Sequence, residues 1–325
     1  MRRREFIAGL GGAAVGWPLL ARAQQKPVIG YLYLGWSEPE SSRRAFFHRG
    51  LAEAGYVDGQ NVTINYRFAE GRFDRLPDMA AELARRNVNV IVTANNNAAA
   101  LAAKAATTSI PIVFSINDDP VKFGLVTSLS RPGGNLTGIN FLLGELGTKK
   151  LGLLRELVPT VARVGFLVNP KNPGAASQTR ELTAAASAIG VQIDVLQAGD
   201  IHEIEAGFDA LKRSQVVALV VAPDTLFFNR RIQVAILAAR HGIAAVYSTR
   251  EYVDSGGLLS YGTSQAEVYR QLGIYTAHIL KGARPADLPV IQSRKFELII
   301  NLPTARALGL TVPPQLLARA DEVIE

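Results

Sequence analysis

Few side chains in this 325-residue sequence are placed for covalent chemistry. Cysteine is absent, which excludes disulfides, thiolate metal sites, iron–sulfur clusters and cysteine nucleophiles. The four histidines, His48, His202, His241 and His278, are scattered along the chain, each in or beside a helical pattern. His202-Glu203 lacks the second histidine of a zinc-protease helix, and neither a G-x-S-x-G elbow nor a P-loop pattern occurs. Gly9-Leu10-Gly11-Gly12-Ala13-Ala14 fits the dinucleotide pattern G-x-G-x-x-A. That motif needs a strand ahead of it, and only a basic segment precedes Gly9. The sequence therefore predicts neither metal nor cofactor, and it points away from an enzyme.

The remaining candidates suit recognition, and they cluster where short apolar runs end. Trp36-Ser37 follows Val28–Leu34, and Asn95-Asn96-Asn97 follows Val88–Thr93. Asp118 follows Ile112–Ser115, Asn169 follows Ala162–Val168, and Asp224 follows Val216–Ala222. Tyr247-Ser248-Thr249 closes another run, and Tyr261 lies near the end of a further one. Neutral donors at a helix start suit a carboxylate, because free N–H groups and the helix dipole favour an anion there. One of the three asparagines is also a natural N-cap. Asp224 suits a ligand ammonium, where a charge-assisted hydrogen bond is worth ~1.5–3 kcal/mol, or else it caps the next helix. Asp119-Pro120 reads as a cap followed by a first helical residue, which leaves Asp118 as the outside candidate. Trp36 could form a stacking wall or lid.

The elements that would position these residues alternate. Val28–Leu34, Asn61–Arg67, Val88–Thr93 and Ile112–Ser115 read as strands, separated by helical patterns at Glu38–Ala54, Phe73–Arg86 and Ala98–Ala106. The rhythm restarts at Ala162–Val168 and runs through strands at Val191–Leu196, Val216–Ala222 and Ala244–Tyr247, with a helix at Phe228–His241. This order predicts α/β architecture: two doubly wound parallel-sheet lobes joined by a hinge. Ser130–Gly138, with three glycines and a proline, reads as a turn-rich connection just before a crossing between them. Ligands of open parallel sheets bind beyond the carboxyl ends of the strands, so the natural pocket is the cleft between facing strand ends.

Composition narrows the setting. Hydrophobic residues make up 48% and charged residues 19%, the profile of a well-buried globular chain. The net charge of +7 is spread thinly, and no dense basic run follows Arg4. Nucleic-acid binding is therefore not expected. Residues 1–23 combine Arg2-Arg3-Arg4, an apolar stretch from Ala8 to Leu20 and a small-x-small end, Ala21-Arg22-Ala23. These are the parts of an export signal, of the twin-arginine kind given Arg3-Arg4-x-Phe6, with cleavage expected after Ala23 and a periplasmic destination.

Longer motifs carry a family resemblance. They include Asp119-Pro-Val-Lys-Phe-Gly-Leu125, Ser128-Leu-Ser-Arg-Pro-Gly-Gly-Asn-Leu-Thr-Gly138, Val168-Asn-Pro170 and Arg250-Glu-Tyr252. Gly256-Gly-Leu-Leu-Ser-Tyr-Gly262 and Ile279-Leu-Lys-Gly-Ala-Arg-Pro285 continue the set, and Phe296-Glu-Leu-Ile-Ile-Asn-Leu302 opens its tail. Over residues 27–325 the sequence resembles the ABC-transporter substrate-binding proteins of the type I periplasmic-binding-protein fold, in the subgroup that includes tryptophan and other aromatic-amino-acid binders. The resemblance implies three crossings, with 27–140 plus about 251–290 forming the first lobe and 141–250 plus about 291–325 the second. It implies a monomer that captures a small solute by lobe closure and presents it to a membrane permease paired with a cytoplasmic ATPase. A sensor of the same fold, or a solute-modifying enzyme, are the alternatives.

Overall fold

The computed structural model describes residues 26–141, 146–293 and 295–325. The expected leader therefore lies outside the described residues. Five strands open the chain: β1 (Val28–Tyr33), β2 (Thr63–Phe68), β3 (Val90–Thr93), β4 (Ile112–Ile116) and β5 (Leu136–Asn140). Eight follow: β6 (Arg163–Val168), β7 (Gln192–Gln197), β8 (Ala218–Val221), β9 (Ala244–Tyr247), β10 (Leu259–Thr263), β11 (Ile291–Gln292), β12 (Phe296–Asn301) and β13 (Glu322–Ile324). The first sheet runs β11-β5-β4-β3-β1-β2 and is parallel throughout. The second runs β13-β12-β10-β9-β8-β6-β7 and is parallel except between β10 and β12. Central strands β3, β4, β8 and β9 are buried at every residue, the pattern of a parallel sheet covered on both faces. The two doubly wound lobes predicted from the alternation are present.

The lobe boundaries differ from the expected ones. The expected first-lobe segment begins at about 251, but β10 (Leu259–Thr263) pairs with β9 and β12 in the second sheet. The chain returns only at the helix Gln265–Leu280, whose Tyr269 and Leu272 pack into the first core beside Ile29 and Phe47. It leaves again between β11, which pairs with β5, and β12. The physical reason is that β10 continues the run of parallel pairing, so its apolar residues are buried on that sheet rather than across the hinge. The crossings are stitched together: Thr263 Oγ1 donates to the Phe141 carbonyl at 3.0 Å, and the Ser264 N–H donates to the Lys295 carbonyl at 3.3 Å. Two further details depart from the sequence reading. The end of the turn-rich Ser130–Gly138 segment is strand β5, and the helix expected at Phe228–His241 is split into Thr225–Asn229 and Arg231–Arg240.

The returning helix crosses Ser37–Glu53 with the two backbones in contact. A methyl group at Gly50 would lie 1.9 Å from the Arg270 carbonyl oxygen, and one at Gly273 would lie 2.3 Å from that of Phe47. Backbone cannot yield as a side-chain tip can, so glycine is required at both places. Gly50→Ala and Gly273→Ala should each destabilise the protein by about 1–3 kcal/mol, although alanine is the better helix former. Urea unfolding of the two variants measures this; unchanged midpoints would show that the helices can separate freely.

Candidate functional site

The carboxyl ends of the strands in the two sheets face each other across a cavity. The first lobe contributes Tyr33, Arg43, Asn95, Asn96, Asn97 and Asn117. The second contributes Asp224, Thr225, Phe228, Ser248, Thr249 and Tyr252. Six of the strand-end residues named from the sequence thus meet here: Asn95, Asn96, Asn97, Asp224, Ser248 and Thr249.

The asparagines are largely committed to the protein itself. Asn95 takes a left-handed backbone conformation with φ of 49°, which asparagine tolerates better than most residues. Its amide donates to Gln265 Oε1 at 2.6 Å, and its Oδ1 accepts from the Ser115 hydroxyl at 3.0 Å. Asn96 is the N-cap of the helix Asn97–Ala106, accepting from the Ala99 N–H at 2.9 Å. Its amide reaches across the cleft to Thr225 Oγ1 at 3.4 Å. The Asn97 amide donates to Asp118, leaving Asn97 Oδ1 buried without a partner. Each of the three amides thus uses one of its two donors within the protein, and the unpartnered side-chain oxygen at Asn97 is an acceptor.

Asp224 serves both roles considered for it. It caps Thr225–Asn229 by accepting from the Leu226 N–H at 2.8 Å, and it also lines the cavity. Asn169 and Asn172 donate to its two oxygens at 3.1 and 2.7 Å. Burial pushes its carboxyl above the usual range, and these donors pull in the opposite direction. All three hydrogen-bond partners are neutral, so a cationic group arriving in the cavity would meet a carboxylate whose charge is unbalanced by them.

One ion pair joins the lobes. Arg43, on the helix Ser37–Glu53, donates through Nε to Glu251 Oε1 of the second lobe at 2.7 Å, with side-chain exposures of 5% and 18%. Its guanidinium also lies 3.5 Å above the centre of the Phe228 ring. Burial opposes the charge on Glu251, but the neighbouring Arg43 outweighs it and holds the carboxyl below its usual range. Beneath Arg43, the fully buried Glu40 accepts hydrogen bonds from the hydroxyls of Tyr31 and Tyr269. Burial raises the Glu40 carboxyl, with Arg43 and the tyrosine hydroxyls acting against it.

The other expected site residues lie elsewhere. Trp36 turns outward, over Gly71, and lines a separate depression with Leu226 and Arg230. Ser37 is engaged by Arg44 at 3.2 Å. Asp118 lies behind Asn97 and faces a depression lined by Lys122 and Arg180. Asn169 supports Asp224 from outside the cavity lining. Tyr247 is fully buried and stacks on Tyr252 at 4.6 Å, so it backs the lining residue rather than reaching the cavity. Tyr261 stacks on Phe296 at 6.0 Å, away from the cleft. Arg43 and Glu251 escaped the sequence reading because a helical Arg and Glu ordinarily face solvent. Ser248 and Thr249 do follow a strand, where the strand-end rule looks for ligand contacts.

A family model described as ABC transporter substrate binding protein matches residues 41–324. The chain belongs to that family. This is a family of solute-binding proteins and not of enzymes. A tyrosine-binding protein of Clostridioides difficile (strain R20291) is 27% identical over 264 residues, covering 81% of this chain and 75% of the relative. A Streptococcus pneumonia crystal structure in complex with L-Trp aligns with a TM-score of 0.84 and 27% identity, covering 92% of this chain and all of the other. A ligand-free, open structure of a Clostridium difficile substrate-binding protein with adhesive properties aligns at 0.66 with 25% identity, covering 92% of this chain and 99% of the other. These neighbours share the type I periplasmic-binding-protein fold. Among the described residues, no helix is long and apolar enough to cross a membrane.

Lys150 stands out beside this site. It is buried, its ammonium donates to the Ser248 hydroxyl at 2.6 Å, and burial pushes its pKa down to about 7. The unfolded chain, with an ordinary lysine near 10.4, then binds more protons than the native one from about pH 7 upward. Stability should rise with pH across that window, by up to about 1.4 kcal/mol per unit from this group. Lys150→Met should flatten the rise between pH 7 and 9 in urea unfolding. An unchanged slope would mean that Lys150 stays charged in the native protein.

Proposed function

We propose that this chain is the extracytoplasmic receptor of an ABC importer, capturing an α-amino acid with an aromatic side chain in the interlobe cavity. The observation that carries the reading is Asp224: a half-buried carboxylate facing the cavity with only neutral hydrogen-bond partners. Although Asp224 itself is partly accessible at the cavity wall, its carboxyl is desolvated enough to favour a cationic partner. A ligand ammonium supplies that charge. Tyr33, Phe141, Phe228 and Tyr252 give the same cavity aromatic surface for a ring. The relatives whose names mention tyrosine and L-Trp support the same ligand class.

Capture proceeds by hinge closure. The likeness is greater to the L-Trp complex than to the ligand-free, open structure, at TM-scores of 0.84 and 0.66. That difference, together with the Arg43–Glu251 and Asn96–Thr225 contacts, supports the present arrangement as the closed one. A ligand bound by both lobes shifts the population towards closure. The protein acts as a monomer, exported by the leader expected at residues 1–23, and delivers its solute to a permease driven by a cytoplasmic ATPase.

Calorimetry with L-tyrosine and with its deaminated analogue, 3-(4-hydroxyphenyl)propionate, tests the assignment. Asp224→Asn should weaken L-tyrosine by ~1.5–3 kcal/mol and the analogue far less. Equal losses for the two would reduce Asp224 to a helix cap and sink the ammonium reading.

A further inference from the structure

We propose that the carboxylate of the captured solute is held by Ser248, with the buried Lys150 behind it as a positioning residue. The inference rests on the amino-acid reading of the cavity and adds where the acid end of the ligand lies. It begins from hydrogen-bond polarity. A protonated lysine amine can only donate. The Ser248 oxygen accepts from Lys150 Nζ, so the hydroxyl hydrogen is directed to a different acceptor. Ser248 lines the cavity, and an oxygen of a bound carboxylate can take that hydrogen.

The sheet register supplies the second argument. β8 and β9 are adjacent and parallel, with Val220 opposite Val246. Ser248 therefore lies opposite Ala222, and Asp224 comes two residues further along the neighbouring chain. Strands in a sheet run about 4.8 Å apart. A carboxylate and a hydroxyl backed by an ammonium thus both line the cavity from beyond the ends of two neighbouring strands of the second lobe. Their opposite polarities match the ammonium and carboxylate carried on one α-carbon. This places the whole head group on the second lobe and directs the side chain towards Tyr33 and Phe141. The Asn95–Asn97 amides, committed to Gln265, Thr225 and Asp118, are not needed to hold the acid.

Burial disfavours the charge on Lys150, and an anion bound one hydroxyl away favours it again. The cation thereby contributes to binding without touching the ligand. A purely structural lysine would support acid and amide ligands alike.

Calorimetry on the exported protein separates the two roles, using L-tyrosine, L-tryptophan and their primary amides. Lys150→Met should weaken the two acids by about ten- to a hundred-fold and the amides by less than about threefold. Lys150→Arg should restore most of the lost affinity for the acids. If Lys150→Met does not fold, Ser248→Ala must show the same acid-selective loss. Equal effects on acid and amide in either variant, or none, overturn the proposal while leaving the amino-acid reading in place. A wild-type protein that binds neither amino acid overturns both.

Discussion

Arg43 is the point on which the two lobes depend. It is anchored below by the Glu40 cluster, faces the Phe228 ring on one side and is paired with Glu251 on the far side of the cleft. A guanidinium removed from water is costly unless its charge and its donors are satisfied. Here the satisfaction comes from both lobes, so separating them would strip the guanidinium of its main counter-charge. Water entering the opened cleft would have to take that place. The contact between the lobes thus has a polar component of its own. Buried ion pairs add little net stability but are expensive to break from one side, by about 3–5 kcal/mol. That asymmetry suits a contact that fixes how the two lobes meet.

The cavity follows the same logic of exchange between water, protein and ligand. Asp224 is surrounded by neutral donors, Lys150 is pressed towards its neutral form, and Asn97 retains an unpartnered oxygen. Each is a group whose desolvation is incompletely repaid within the protein. Together they make the cavity wall polar and incompletely satisfied within the protein.

Much of this was legible in the sequence, and the limits have physical causes. Apolar runs locate eight of the thirteen strands, because a parallel strand buried on both faces must be apolar throughout. Leu136–Asn140 was hidden by the glycines and proline just ahead of it, and its own Thr137 and Asn140 mask the apolar signal. The strand-end rule leads to Asp224 and the asparagine loop, which line the cavity, and also to Trp36, Tyr247 and Tyr261, which do not, since it locates loops and says nothing of where a side chain turns. Arg43 and Glu251 were out of reach, because their pairing joins helices 208 residues apart in sequence and only the hinge brings them together. Lys150 was equally silent, as a lysine among leucines on an amphipathic helix reads as a solvated residue.

The laced crossings govern the order in which the molecule can be made. The first lobe lacks a wall of its core until Gln265–Leu280 has been synthesised, and the second awaits β12 and β13 at the far end of the chain. The backbone contact at Gly50 and Gly273 pairs an early helix with one made more than two hundred residues later. During synthesis, then, half-finished sheets persist with open apolar faces, and neither lobe can be completed alone. A chain built in this way gains from completing its fold where chaperones can shield those faces. An export route that carries finished proteins would meet that need.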